Sequence, residues 1–291
     1  MLDPSPDESP VNAAVPEIRI PPVAYDRAVA ANTETTGEGS SFDIQSVSRV
    51  GQILALFGPH TSELTAVDVA ERLGLNRTTA YRYCASLVSA GILERGRTRG
   101  TFVLGGLMLQ LGIHALERKH VFEIAGPHLA RLSEAVGTTT VLALWGVREP
   151  VVALVHEDTS RNVVVTVRPG TRLDMDASQM RVFLAHHGDQ HMIERLMDEL
   201  PAAKRAEIEA AVYSVRRLGY SYVRLPDGIY GAAAPVFDSA GIAASIALLG
   251  ADRLADLTAE SPILAALLDT AAAISEELTS REGERPFERQ R

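Results

Sequence analysis

The residues of this 291-residue chain best suited to chemistry are arginines, and they cluster. Between Asn76 and Arg99 stand Arg77, Arg82, Arg95, Arg97 and Arg99, against a single acid, Glu94. Guanidinium forks stay charged and match phosphate oxygens, so this grouping suits contact with a polyanion such as duplex DNA. Thr78, Thr79 and Tyr81 sit among the first two arginines, at the end of a helix that can be offered to base edges in a major groove. The rest of the chain has the opposite sign. Its formal net charge is −9, with a pI near 5.4, and the first 41 residues hold seven acids against two arginines. An acidic chain with one basic patch suits a selective binder rather than a generally adhesive one.

The elements that must position these groups can be read from capping and periodicity. Thr65 is a suitable N-cap for a helix with Ala66, Val67, Val69, Ala70 and Leu73 on its apolar side, and Gly74 suits its left-handed end. Asn76 is placed to cap a second helix, with Ala80, Tyr83, Leu87 and Val88 turned inward. The pair reads as a helix-turn-helix; an ordinary helical hairpin with a polar face is the plainer alternative. Residues 92–95 and 100–104 look like two strands joined by residues 96–99, a wing that puts Arg95, Arg97 and Arg99 near phosphates. Upstream, Val47, Val50, Leu54 and Phe57 recur at helical spacing and Gly58-Pro59 ends the run. Residues 42–104 are therefore expected to form a winged helix-turn-helix domain that binds DNA.

Length and composition allow a second domain, with 46% hydrophobic and 5% aromatic residues. Residues 105–119 form an expected linker helix, apolar on nearly every face, that needs cover from a partner subunit or from its own second domain. Residues 120–280 read as mixed helix and strand. Helices are expected over 121–136, 178–187, 191–200, 203–218 and 262–278. Strands are expected over 138–145, 150–156, 162–167, 220–224, 231–237 and 242–249. That order suits a small antiparallel sheet flanked by helices, a frame used for small-molecule sensing. Residues 1–41 read as a disordered acidic, proline-rich tail and 281–291 as a flexible C-terminal tail. No stretch of eighteen apolar residues occurs and no basic-plus-apolar leader opens the chain, so a cytoplasmic protein without a membrane partner is expected. The single cysteine, Cys84, reads as a small buried hydrophobe, with a redox sensor as the alternative.

Other chemistry is thin. His186, His187 and His191 include an i, i+4 pair without a third metal ligand, and read as surface histidines. His156, Glu157 and Asp158 sit at a strand end where polar side chains face water. Trp145 reads as core or pocket lining. Phosphate-binding glycine loops, zinc-protease motifs and nucleophile elbows are missing from the sequence. No catalytic residues, metal site or cofactor are expected.

Several segments together resemble the IclR family of transcriptional regulators over roughly residues 44–279. They are Ser46-Val47 with Arg49, the run from Asn76 to Arg82, Phe102-Val103-Leu104-Gly105, the run from Val167 to Leu173, Val182-Phe183-Leu184-Ala185, Gly219-Tyr220, and the run from Ala233 to Asp238. The resemblance implies an α+β protein with an N-terminal winged helix-turn-helix, a linker helix and a GAF-like α/β effector-binding domain. It further implies homodimers, or dimers of dimers, on near-palindromic operators in double-stranded DNA. It adds Ser46 and Arg49 to the DNA-contacting residues Asn76, Arg77, Thr78, Thr79, Tyr81, Arg82, Arg95, Arg97 and Arg99.

The departures from the family bear on the effector. Members commonly follow the Gly-Thr-Arg-Leu turn with a proline, a histidine and small residues ending in Gly-Lys-Ala. Here Met175, Asp176, Ala177, Ser178, Gln179 and Met180 stand in that stretch. In members that sense small carboxylic acids, backbone N–H groups of this corner hold the carboxylate, which suits a helix N-terminus. Met175, Ala177, Ser178, Gln179 and Met180, with Ile229, Gly231, Ala247 and Leu249 on facing strands, are the expected effector contacts. Polar side chains of other members are replaced there by Gly231, Ala247 and Leu249, so an organic acid less polar than glyoxylate or pyruvate is expected. A metabolite-binding module or enzyme, using a winged helix for protein contacts, is the alternative class. Whether the effector releases or strengthens DNA binding depends on which dimer geometry it favours.

Overall fold

The computed structural model describes residues 44–117, 119–159, 164–225, 228–252, 257–258 and 261–283. The expected N-terminal tail, and residues 284–291 of the expected C-terminal tail, lie outside them.

Local capping sets the first three helices, α1 (Gln45–Leu54), α2 (Ala66–Leu73) and α3 (Arg77–Ser89). Thr65 forms a capping box on α2: its hydroxyl accepts from Asp68 N–H, and the Asp68 carboxylate accepts from Thr65 N–H at 2.7 Å. The Thr65 hydroxyl, which also donates to the Asp68 carboxylate, and after it the Thr65 N–H hold that carboxyl below its ordinary pKa. Gly74 ends α2 in the left-handed region at φ 63°, and Asn76 Oδ1 accepts from Thr79 N–H at 2.8 Å to start α3. Ile53, Leu64, Val69, Ala70, Ala80, Cys84, Leu87, Leu93 and Phe102 close one core beneath the three helices. Cys84 is fully buried there, and burial raises its thiol pKa, which fits the small-hydrophobe role.

The wing has three strands, not the two the sequence suggests: β1 (Leu64–Thr65), β2 (Leu93–Arg95) and β3 (Thr101–Leu104), ordered β1-β3-β2 and antiparallel. A two-residue strand carries no alternation to read. Here Leu64 pairs with Phe102 while Thr65 doubles as the α2 cap. The next helix, α4 (Gly106–Glu117), coincides with the expected linker and exposes Leu109, Leu111, Ile113 and Leu116.

The second domain is a five-stranded antiparallel sheet ordered β5-β4-β8-β7-β6. Its strands are β4 (Thr139–Trp145), β5 (Pro150–His156), β6 (Ser221–Arg224), β7 (Ile229–Asp238) and β8 (Gly241–Ala251). Its helices are α5 (His120–Val136), α6 (Ser178–His186), α7 (Gln190–Asp198), α8 (Ala202–Leu218) and α9 (Pro262–Gly283). Alternation along the strands assigns the two faces. Leu142, Tyr230, Ala232, Ala234, Ile246 and Leu248 pack with α5 and α9, whereas Ala233 and Ala247 pack with Val182 of α6 and Val215 of α8. His128 of α5 and Glu277 of α9 meet at 3.2 Å, and this contact lowers the Glu277 pKa.

The strand expected over residues 162–167 is not formed where it is described. Residues 162 and 163 lie outside the described residues, and Val164–Val167 carry no ladder. The neighbouring turn takes the β5 edge instead. Gly170 N–H donates to Val152 O at 2.7 Å, Val152 N–H to Thr171 O at 2.9 Å and Leu173 N–H to Pro150 O at 2.9 Å. A run of valines signalled a strand, but the edge groups of β5 were already satisfied by the turn that follows it.

Candidate nucleic-acid interface and effector corner

Arg77, Thr78, Tyr81 and Arg82 are exposed on the first turns of α3, and Thr79 and Arg82 line an open groove with Tyr83 and Ser86. Asn76 is exposed, but its side-chain oxygen is committed to the cap. Ser46 is exposed on the first turn of α1. Arg49 reaches back to Leu73 O at 3.5 Å, a favourable place for a cation because the carbonyl end of α2 is electronegative. The wing turn is closed by Gly96 N–H on Thr101 O at 3.0 Å and Thr101 Oγ1 on Thr98 O at 2.8 Å, so Arg97 and Arg99 project into solvent. Arg95 differs. Its guanidinium lies over Phe102 and Tyr81, and it donates to the Tyr81 hydroxyl at 3.2 Å.

One feature of β2 gave no signal in the sequence. Glu94 Oε1 accepts from Gly106 N–H at 2.8 Å and so caps α4 from the wing. At the same junction Gly105 N–H donates to Ile92 O at 2.8 Å. A Cβ on Gly105 would stand 2.4 Å from Gly91 O, so the position admits only glycine.

The expected effector residues divide into two groups. Ser178, Gly231 and Leu249 converge, since a Cβ on Gly231 would meet Ser178 Oγ at 3.2 Å and Leu249 Cδ2 at 3.4 Å. Ile229 shares the Gly231 side of β7 by alternation, and Ala247 packs against the same helix through Val182. Buried Gln179 donates its side-chain amide to Ser245 O at 2.8 Å. Pro235, opposite Ser245 across the ladder, has no N–H to offer that carbonyl. Met175, Ala177 and Met180 turn away from the sheet, into the cluster that Leu184, Ile193, Leu196, Met197 and Ile208 form between α6, α7 and α8. Ala177 is the N-cap of α6 and makes no side-chain cap bond, which leaves first-turn N–H groups for another acceptor. Beside Leu249, a cavity of about 30 Å³ is lined in part by Thr139, Asp158, Val165 and Tyr230, room for little more than a water.

The histidines follow their surroundings. His187 packs on Trp145 at 4.7 Å between ring centroids and its Nδ1 accepts from Asp189 N–H, while His191 meets Glu194. His186 is half-buried, not a free surface residue: it lies edge-on to Phe237, and burial followed by nearby Arg216 lowers its pKa. His156 does not simply face water either, since its Nε2 is enclosed without a hydrogen-bond partner among the described residues. Among those residues no group of three or more His, Cys, Asp or Glu side chains could hold a metal, and no helix is long and apolar enough to cross a membrane.

A winged helix-turn-helix with basic α3 and wing tip, joined by a helix to a sheet flanked by helices, is the architecture of a DNA-binding regulator. The IclR helix-turn-helix domain matches residues 46–97, and the bacterial transcriptional regulator IclR C-terminal domain matches residues 113–276. The chain belongs to the IclR family and is a DNA-binding transcriptional regulator. The HTH-type transcriptional regulator BhcR of Paracoccus denitrificans is 27% identical over 220 residues, covering 72% of this chain and 78% of that protein. HmgR of Pseudomonas aeruginosa is 26% identical with a TM-score of 0.61, covering 81% of this chain and 100% of that structure. An IclR homologue from Microbacterium hydrocarbonoxydans, solved with 4-hydroxybenzoate, is 23% identical with a TM-score of 0.66, covering 80% of this chain and 98% of that one.

Proposed function

We propose that this regulator is controlled by a small organic acid, less polar than glyoxylate or pyruvate, held where α6 meets β7 and β8. The observation that carries the reading is the pairing of two unlike surfaces at that corner. The α6 N-terminus has no side-chain cap, so its N–H groups suit a carboxylate; Gly231, Ala247 and Leu249 give an apolar wall for the remainder of the ligand. The 4-hydroxybenzoate in the Microbacterium homologue is an aromatic acid, a carboxylate on a benzene ring with a hydroxyl at the far end, and supports the reading. The output is sequence-specific binding through α3, with Arg97 and Arg99 on phosphates. The assembly is a homodimer or dimer of dimers on a near-palindromic operator, joined in part through the exposed apolar side of α4. Its place of action is the cytoplasm.

Calorimetric titration of the full chain with glyoxylate, pyruvate, benzoates and cyclohexanecarboxylates tests the effector. An aromatic or alicyclic acid should bind most tightly and change DNA affinity by the same factor that DNA changes its own. Binding of glyoxylate or pyruvate alone would overturn it.

A further inference from the structure

We propose that Arg95 serves DNA recognition through Tyr81 and not through a phosphate, as a positioning residue that presents the Tyr81 hydroxyl as a hydrogen-bond donor. The proposal rests on α3 being the recognition helix. Three side chains from three elements make the unit. The Arg95 guanidinium carbon stands 4.7 Å from the Phe102 ring centroid and 5.5 Å from that of Tyr81, and Tyr81 meets Phe102 edge-on at 6.4 Å. Phe102 is 1% exposed and locked in the core, so it offers a fixed floor. A cation over two ring faces already has electrostatic partners, unlike Arg97 and Arg99 on the projecting turn.

The direction of the 3.2 Å bond decides what Tyr81 can do. A guanidinium has donors and no acceptor, so the phenol oxygen must accept from Arg95. The phenolic proton is thereby turned away from Arg95. Tyr81 is 49% exposed and lies between Arg77 and Arg82 in sequence, on the part of α3 offered to DNA. Guanine O6 and N7, adenine N7 and thymine O4 are the acceptors that a major groove presents. Arg95 therefore fixes both the place of the ring and the sense of the hydrogen bond it makes.

The test uses the full chain and a duplex that the wild-type protein enriches from a randomised pool, with a scrambled duplex as control. Tyr81→Phe keeps the ring and removes only the hydroxyl; Arg95→Leu and Arg95→Lys remove the fork. Each single variant should bind the selected duplex about 3- to 10-fold more weakly, the scale of one hydrogen bond. The scrambled duplex should be bound as before, and the dependence of log K on log salt should keep its slope. The double variant Tyr81→Phe/Arg95→Leu should be no weaker than the weaker single. A salt slope reduced by about 1 in Arg95→Leu, equal losses on both duplexes, full binding by Arg95→Lys, or additive losses would each overturn the proposal. If the wild-type chain enriches no duplex, the recognition-helix reading fails and the proposal with it, a result distinct from any of the variant patterns. Thermal melting of each variant shows that the fold is retained, and Tyr81→Phe carries the test should Arg95→Leu melt early.

Discussion

Arg77 opens α3 and Arg97 projects from the wing turn, and the same substitution should leave different signatures at the two places. Arg97→Ala should weaken binding on every sequence alike and lower the salt slope by about 1, because a phosphate contact carries no sequence information. Arg77→Ala should cost about 1–3 kcal/mol on the selected duplex and less on a scrambled one, the mark of a base-edge contact. Anisotropy titrations over a salt series separate them. At this scale the sequence disclosed what depends on near neighbours. Thr65 and Asn76 cap through partners three residues away, and both were legible. Arg95, Arg49 and Gln179 were not, since their partners lie 14, 24 and 66 residues off, and a side chain's type does not say which distant atom it will meet. In the sequence Arg95 reads as one more phosphate contact; its place over Phe102 is what supports the positioning role proposed for it.

Among the elements, helices and long strands were legible because amphipathic runs of seven or more residues repeat their signal. The losses fall where a strand is too short or an edge is contested: β1 spans two residues, and the valine run before Val167 gives way to the turn at Gly170. For α6 the sequence placed the helix but not its rotation. That is why the sequence groups Met180 with Ser178 although Met180 packs toward α7 and α8, and Met175, three residues before the helix, packs beside it. The rotation gives Gln179 a definite task, tying α6 to β8 through the Ser245 carbonyl. Gln179→Leu should therefore lower stability by about 1–3 kcal/mol in chemical denaturation, the cost of leaving a buried carbonyl short of a donor. An unchanged midpoint would show that the bond contributes nothing net.

For the whole molecule, charge and exposed apolar surface divide the labour. The acidic remainder of a chain of net charge −9 discourages loose adhesion to DNA, which leaves the arginine-bearing face to act. The other unusual surface is α4, where Leu109 is 68% exposed and Leu111 52%. If α4 joins subunits, Leu109→Glu should shift sedimentation toward smaller species. It should also weaken binding to a two-half-site duplex by more than about tenfold, while a half-site is bound as before. Unaltered sedimentation would remove α4 from the interface.

Adjacent side chains of β2 hold opposite neighbours: Glu94 grips the first N–H of α4, and Arg95 grips Tyr81 on α3. With Gly105 set against Gly91 at the same junction, the joint has little slack. If the second domain reads a metabolite as proposed, both readers can be flawless while the regulator is deaf, once this hinge is loosened. Loss of control in such a protein can therefore originate in residues that touch neither nucleic acid nor effector.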